Sequence, residues 1–284
     1  MAARQVLLEL AFILEDERDK IVFVGGTACA LLFPQETDPH EGTIDVDVAL
    51  DPVALADSGV DTLEEKLTSA NFQLDGLKAG EEQRGIKSYR WFRSVFLENE
   101  ATPIEVAVDL LAGQYDDSRQ QQGPREVQGL HPSRLRGLDL AFLDPHWVSL
   151  SGILPGGTPY QTKVQVCSPA CLLAMKGIAI NDRLHGQDKD ASDIDYILRR
   201  YSTGWEALAR TLQTDIYWHH GLVQEGLRGV AQAFVSLDAI GPASVATPDR
   251  YPDAEERAIV QQGAFQRVQR LLRELKISAT DSSL

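Results

Sequence analysis

The chain has 284 residues, with 42 Asp and Glu against 27 Lys and Arg, a formal charge of −15. That balance excludes a protein whose main task is to coat nucleic acid, since such proteins carry surplus cations to neutralise phosphates; a single local basic groove remains compatible with it. A hydrophobic content of 43% and a charged content of 24% exclude a disordered chain, and no run approaches the ~18 apolar residues of a membrane span.

Residues 3–17 carry Val6, Leu7, Leu10, Ala11 and Leu14 at helical spacing. Ile21-Val22-Phe23-Val24 is short and β-branched, a buried strand, and it runs into Gly25-Gly26 and a short helix over 27–33 that stops before Pro34. Residues 34–43 have the composition of a loop. Ile44-Asp45-Val46-Asp47-Val48 alternates with period two, a strand with one polar edge. A helix over 60–70 and strands over 72–77, 88–92 and 104–110 follow, then a polar loop over 114–124. Residues 125–167 are rich in Gly and Pro, with short strands expected near 138–143 and 163–167. From Ser168-Pro169 the pattern becomes helical: two helices to Leu198 broken around Gly186, then helices over 204–213, 219–235 and 253–275, with 237–252 as a linker. The tail from Ser278 is polar and expected to fray. The organisation is a mixed α and β half followed by a helical half, with a soft boundary near residue 160.

Cys29, Cys167 and Cys171 are an odd count without metal-site spacing, and read as buried thiols in a reducing compartment. The start is not basic and lacks a small-residue cleavage site, so the expected location is the cytoplasm. His131, His146 and His185 are isolated, and the adjacent His219 and His220 diverge on a helix.

Three pieces together suggest chemistry. Gly25-Gly26-Thr27 joins a strand to a helix, where glycines let a phosphate approach the backbone and the first helical N–H groups are unpaired; the same pair also serves as a tight turn. Asp45 and Asp47 share a strand face, and two neighbouring like charges need compensation. A divalent cation such as Mg²⁺ supplies it; a solvated edge face is the alternative, weakened by the apolar Ile44, Val46 and Val48. A third acid on a neighbouring strand, Asp109 or its competitor Glu105, completes a set able to hold two metal ions on a triphosphate and an attacking hydroxyl. Asp109 is preferred because it lies nearer the end of its run.

The order Gly-Gly-Thr, Asp-hydrophobic-Asp and a strand acid resembles the nucleotidyltransferase superfamily of the polymerase-β type. Gly25-Gly26-Thr27-Ala28 with Thr43-Ile44-Asp45-Val46-Asp47, and a helical segment with Lys176, Arg183 and Lys189-Asp190-Ala191-Ser192-Asp193, is most similar to the AbiEii-type nucleotidyltransferase toxins. The resemblance spans about residues 20–200. It implies an α+β fold: a mixed-sheet nucleotidyltransferase core over 1–160, then a helical domain over 161–284 that completes the active-site cleft. It implies Mg²⁺-dependent transfer of a nucleoside monophosphate from an NTP to a hydroxyl on an RNA end, a protein or a small molecule, by a toxin that an antitoxin protein counteracts. Asp45, Asp47 and Asp109 would bind metal, and Gly25, Gly26, Thr27, Thr43, Arg183 and Lys189 would bind the nucleotide. Lys176 would grip the triphosphate, with Asp190 or Asp193 assisting the acceptor.

The helical segment has a physical reading of its own. Lys176 and Arg183 are seven apart and share a helix face. Asp190 and Asp193 share another, and Lys189 can pair with Asp193 at i,i+4; acids at a helix start also suit the macrodipole. The chain departs from the family pattern Arg-x-Thr/Ser-x-Asp in having Glu41 at the Arg position. Glu41 cannot bind phosphate. A non-catalytic nucleotide-binding or regulatory module that keeps the fold is therefore the second reading.

Overall fold

A computed structural model of the chain describes residues 2–34, 45–56, 62–75, 89–96, 102–114, 127–182, 189–201 and 203–279. They divide into two units, Met1–Cys167 and Ser168–Leu284. The expected boundary near residue 160 falls inside a strand of the first unit.

The first unit contains α1 (Ala2–Ile13), β1 (Ile21–Val24), α2 (Gly25–Leu32), β2 (Asp45–Leu50), α3 (Pro52–Leu55), α4 (Leu63–Ser69), β3 (Gln73–Leu74), β4 (Arg90–Val95), β5 (Ile104–Gly113), β6 (Ser133–Leu135), β7 (His146–Ile153) and β8 (Pro159–Val166). The strands form one mixed sheet in the order β3-β4-β5-β2-β1-β8-β7, with β6 pairing β5. β2 runs parallel to β5 and antiparallel to β1, and β4 runs antiparallel to β5. The expected loops over 34–43 and 114–124 fall almost wholly outside the described residues.

In the Gly- and Pro-rich stretch one expectation is corrected and one strand is longer than expected. Leu138–Phe142 is a short 3-10 helix, entered through Gly137 in the left-handed region (φ 80°). The strand expected at 163–167 is the end of β8, which forms a long hairpin with β7. β7 escapes sequence reading because it is exposed at most positions and its apolar–polar alternation is confined to Val148–Ser151.

Strand parity fixes what each face of the sheet does. Val46 and Val48 of β2 and Val106, Val108 and Leu110 of β5 are almost wholly buried. Trp91 and Arg93 of β4 are register partners of Val108 and Val106, so all of these side chains share one face. Helix α1 covers it, packing across β2, β4 and β5 with Val6, Leu7 and Leu10 buried. Glu9 of α1 accepts two hydrogen bonds from Arg93, each 2.9 Å, which locks the helix onto β4. The opposite face therefore receives Asp45, Asp47, Arg90 and Asp109.

The second unit is helical: α5 (Pro169–Asp182), α6 (Lys189–Arg200), α7 (Trp205–Leu212), α8 (Asp215–Trp218), α9 (Gly221–Ala233), α10 (Ile240–Val245) and α11 (Ala254–Leu275). Helices α5 and α9 touch backbone to backbone, since a side chain at Gly177 would strike the Gly226 carbonyl. Arg267 of α11 donates to Asp195 of α6 at 2.8 Å. The stretch 237–252, expected as a linker, holds α10; Pro242 lies in its first turn, where a missing N–H costs nothing.

Candidate active site

The site on the first unit is built by register. Asp47 of β2 is the partner of Asp109 of β5, and Asp45 is the partner of Ala107. Register partners on adjacent strands point to the same face, and residues two apart do so along one strand. Asp45, Asp47 and Asp109 thus form a row of three carboxylates on the face away from α1. Glu105 shares their parity but lies beyond the start of described β2, whereas Asp109 stands directly beside Asp47.

A cation absent from the sequence reading joins this row. Arg90 is the register partner of Asp109 on the other side of β5. Its Nε donates to Asp109 Oδ1 at 2.7 Å and its Nη2 to Oδ2 at 2.6 Å, a bidentate pair. The same Nη2 lies 4.0 Å from Asp45 Oδ2. The hydrogen bonds to Asp109 raise the Arg90 pKa further, against the opposing effect of burial. The available signal was the alternation of Tyr89, Arg90 and Trp91 in a predicted strand, which put Arg90 on a polar face; which acid it met depended on the β4–β5 register.

Helix α2 is fitted closely against β2. Gly25, its first residue, adopts φ +64°, and a side chain there would run into the Asp47 carboxylate. Gly25 thus makes room for Asp47 as well as opening the helix. Gly26 follows and is partly exposed. The Thr27 hydroxyl donates to the Asp45 carbonyl oxygen at 3.0 Å, so it ties α2 to β2. Thr43 and Glu41 lie outside the described residues.

The second unit has its own charged cluster. Lys176 of α5 reaches Asp190 Oδ1 at 2.8 Å and Asp193 Oδ2 at 2.6 Å on α6. The three side chains are only 15%, 4% and 7% exposed. Burial alone would depress the Lys176 pKa; the charges of Asp193 and Asp190 and the hydrogen bonds to both outweigh it, and the pKa is raised. The ammonium therefore stays charged across the physiological range. Asp190 and Asp193 do share a face, as the spacing predicts, and Asp193 meets Lys176 of the neighbouring helix. Lys189 is the exposed first residue of α6, and Arg183 lies outside the described residues.

The implied Mg²⁺ can be tested against this geometry. Three carboxylates on adjacent strands are the hard oxygen donors this ion takes. Among the described residues no three His, Cys, Asp or Glu side chains converge on a common point; Asp109 gives both oxygens to Arg90. The donor types suit the ion, while the positions of the side chains, with Asp109 held by Arg90, do not gather them on one point.

The chain matches the family described as nucleotidyl transferase AbiEii toxin, type IV toxin–antitoxin system, over residues 6–279. It belongs to the AbiEii family. The mixed sheet and helical second half expected from the sequence are both present, and the protein is an AbiEii-family nucleotidyltransferase. The crystal structure of JHP933 from Helicobacter pylori is similar at 14% identity, covering 97% of this chain and 93% of that one, with a TM-score of 0.41. A search of curated proteins gives no match. No helix among the described residues of this AbiEii-family chain is long and apolar enough to cross a membrane.

Proposed function

We propose that this AbiEii-family enzyme moves a nucleoside monophosphate from an NTP to a hydroxyl acceptor at the acid row of its first unit. The acceptor oxygen bonds to the α-phosphorus, the bond to the β-phosphate oxygen breaks, pyrophosphate leaves, and the acceptor proton is lost. The observation that carries the reading is the register that sets Asp109 beside Asp47, two residues from Asp45, against the N-terminus of α2.

Asp45, Asp47 and Asp109 would hold Mg²⁺, two ions in the full reading, which when bound would screen the triphosphate and acidify the acceptor hydroxyl. The protein's own groups do the rest. Gly25 and Gly26 open the start of α2 to phosphate oxygens, where N–H groups point outward. Thr27 holds α2 on β2 through the Asp45 carbonyl and so fixes where those N–H groups lie. The resemblance adds Thr43, Arg183 and Lys189 as nucleotide contacts. It assigns Lys176 to charge developing on the phosphates and Asp190 or Asp193 to the acceptor.

The acceptor is an RNA end, a protein hydroxyl or a small molecule. The charge of −15 favours a short end entering one local site over a long RNA on a broad surface. The family's place in toxin–antitoxin systems supports a cytoplasmic toxin with a cognate antitoxin. The test is incubation with Mg²⁺ and NTPs labelled at the α-phosphate, together with cellular RNA, protein and metabolite fractions. Pyrophosphate release with label in one fraction is expected. NTP binding without release would instead favour the non-catalytic reading that Glu41 motivates.

A further inference from the structure

We propose that Arg90 is a resident cation of the acid row, exchanged at Asp109 for the incoming divalent ion. This rests on the reading of Asp45, Asp47 and Asp109 as the ligand set.

Three carboxylates on one face repel one another and need positive charge nearby. Arg90 provides it within the row itself. It engages both oxygens of Asp109, at 2.7 and 2.6 Å. Its Nη2 also approaches Asp45 Oδ2 to 4.0 Å, so the guanidinium lies in the space that a cation shared by Asp45 and Asp109 needs. An arginine cannot leave by losing its proton; it must move. It lies nearer solvent than the acid it holds, its side chain being 25% exposed and that of Asp109 12%. The second arginine of β4 shows the contrast: Arg93 makes the same two-point contact with Glu9 on the other face, where it joins helix to sheet. The exchange replaces one cation at Asp109 by another, so that carboxylate is compensated before and after the ion enters.

The experiment is Mn²⁺ calorimetry on the full chain, comparing wild type, Arg90→Gln and Arg90→Lys, with the double variant Asp45→Ala/Asp47→Ala marking the site. Melting temperatures are read with and without Mn²⁺. Arg90→Gln should bind Mn²⁺ roughly tenfold or more tightly, the scale of a lost charged hydrogen-bond pair. It should melt lower without metal and gain more from Mn²⁺ than wild type does, with Arg90→Lys between them. In wild type the Arg90 Nε–H resonance, assigned by its loss in Arg90→Lys, should move on addition of Mg²⁺. That NMR readout holds even if Arg90→Gln does not fold. Equal or weaker Mn²⁺ binding by Arg90→Gln, or an Arg90 resonance unmoved at saturating Mg²⁺, overturns the exchange while leaving the metal site intact. If neither wild type nor Arg90→Gln binds Mn²⁺, the ligand-set reading falls and the exchange with it.

Discussion

Asp47 and Asp109 stand side by side on the parallel strands β2 and β5, as register partners on the sheet face that α1 leaves uncovered. One residue of slip would send Asp109 of β5, or both Asp45 and Asp47 of β2, into the apolar layer under α1. The position of the acid row is therefore specified by the same alternation that buries Val46, Val48, Val108 and Leu110.

Gly25→Ala tests how tightly α2 is fitted to that row. The φ of +64° is strained for alanine, and its Cβ would collide with the Asp47 carboxylate. A loss of about 1–3 kcal/mol is expected from urea denaturation, together with a fall in turnover larger than the fall in folded fraction. Full turnover in a folded Gly25→Ala protein would contradict the fit.

The two arginines of β4 should separate by role. Arg93→Met breaks a largely buried pair with Glu9, and about 3 kcal/mol of stability should go with it. Turnover per folded molecule should hold, because Arg93 faces α1. Asp109→Asn should cost less stability, about 1 kcal/mol given the partial exposure of Arg90, yet abolish turnover. The check is stability and initial rate measured on the same preparations.

Lys176→Met removes the ammonium that the buried Asp190 and Asp193 share, at a cost of about 3 kcal/mol at neutral pH. The pKa of Lys176 is higher folded than unfolded, through Asp193 and Asp190 acting against burial. Its contribution is then complete below the unfolded value of about 10.4 and fades as the pH rises above it. The stability gap between wild type and Lys176→Met should be constant from neutral pH to about pH 9 and narrow above about pH 10.4. A gap that widens there would show that the ammonium is not held charged by the two aspartates.

How much of this was legible in the sequence follows from the range of each signal. Asp45-Val46-Asp47 could be read because period two is local, and it gave both the strand and its polar face. Asp190 and Asp193 could be read as same-face neighbours for the equivalent helical reason. Their partner Lys176 lies on another helix, and nothing in the spacing said that the two acids would close on one ammonium. Arg90 was hidden for the same cause, since its meeting with Asp109, nineteen residues further along the chain, depends on an antiparallel register that the local pattern cannot fix. The β7–β8 hairpin was hidden because β7 leaves apolar Trp147 and Ile153 exposed and buries only Leu150, and α10 because Gly241 and Pro242 read as breakers although both sit near a helix start.

The central claim is that nucleotidyl transfer takes place at the acid row. Its most direct test is transfer from NTP labelled at the α-phosphate, by wild type and by Asp45→Ala/Asp47→Ala, into the cellular fraction that wild type labels. Wild type should transfer label and release pyrophosphate, and the folded double variant should do neither. Undiminished transfer by the double variant would place the chemistry elsewhere and contradict the account.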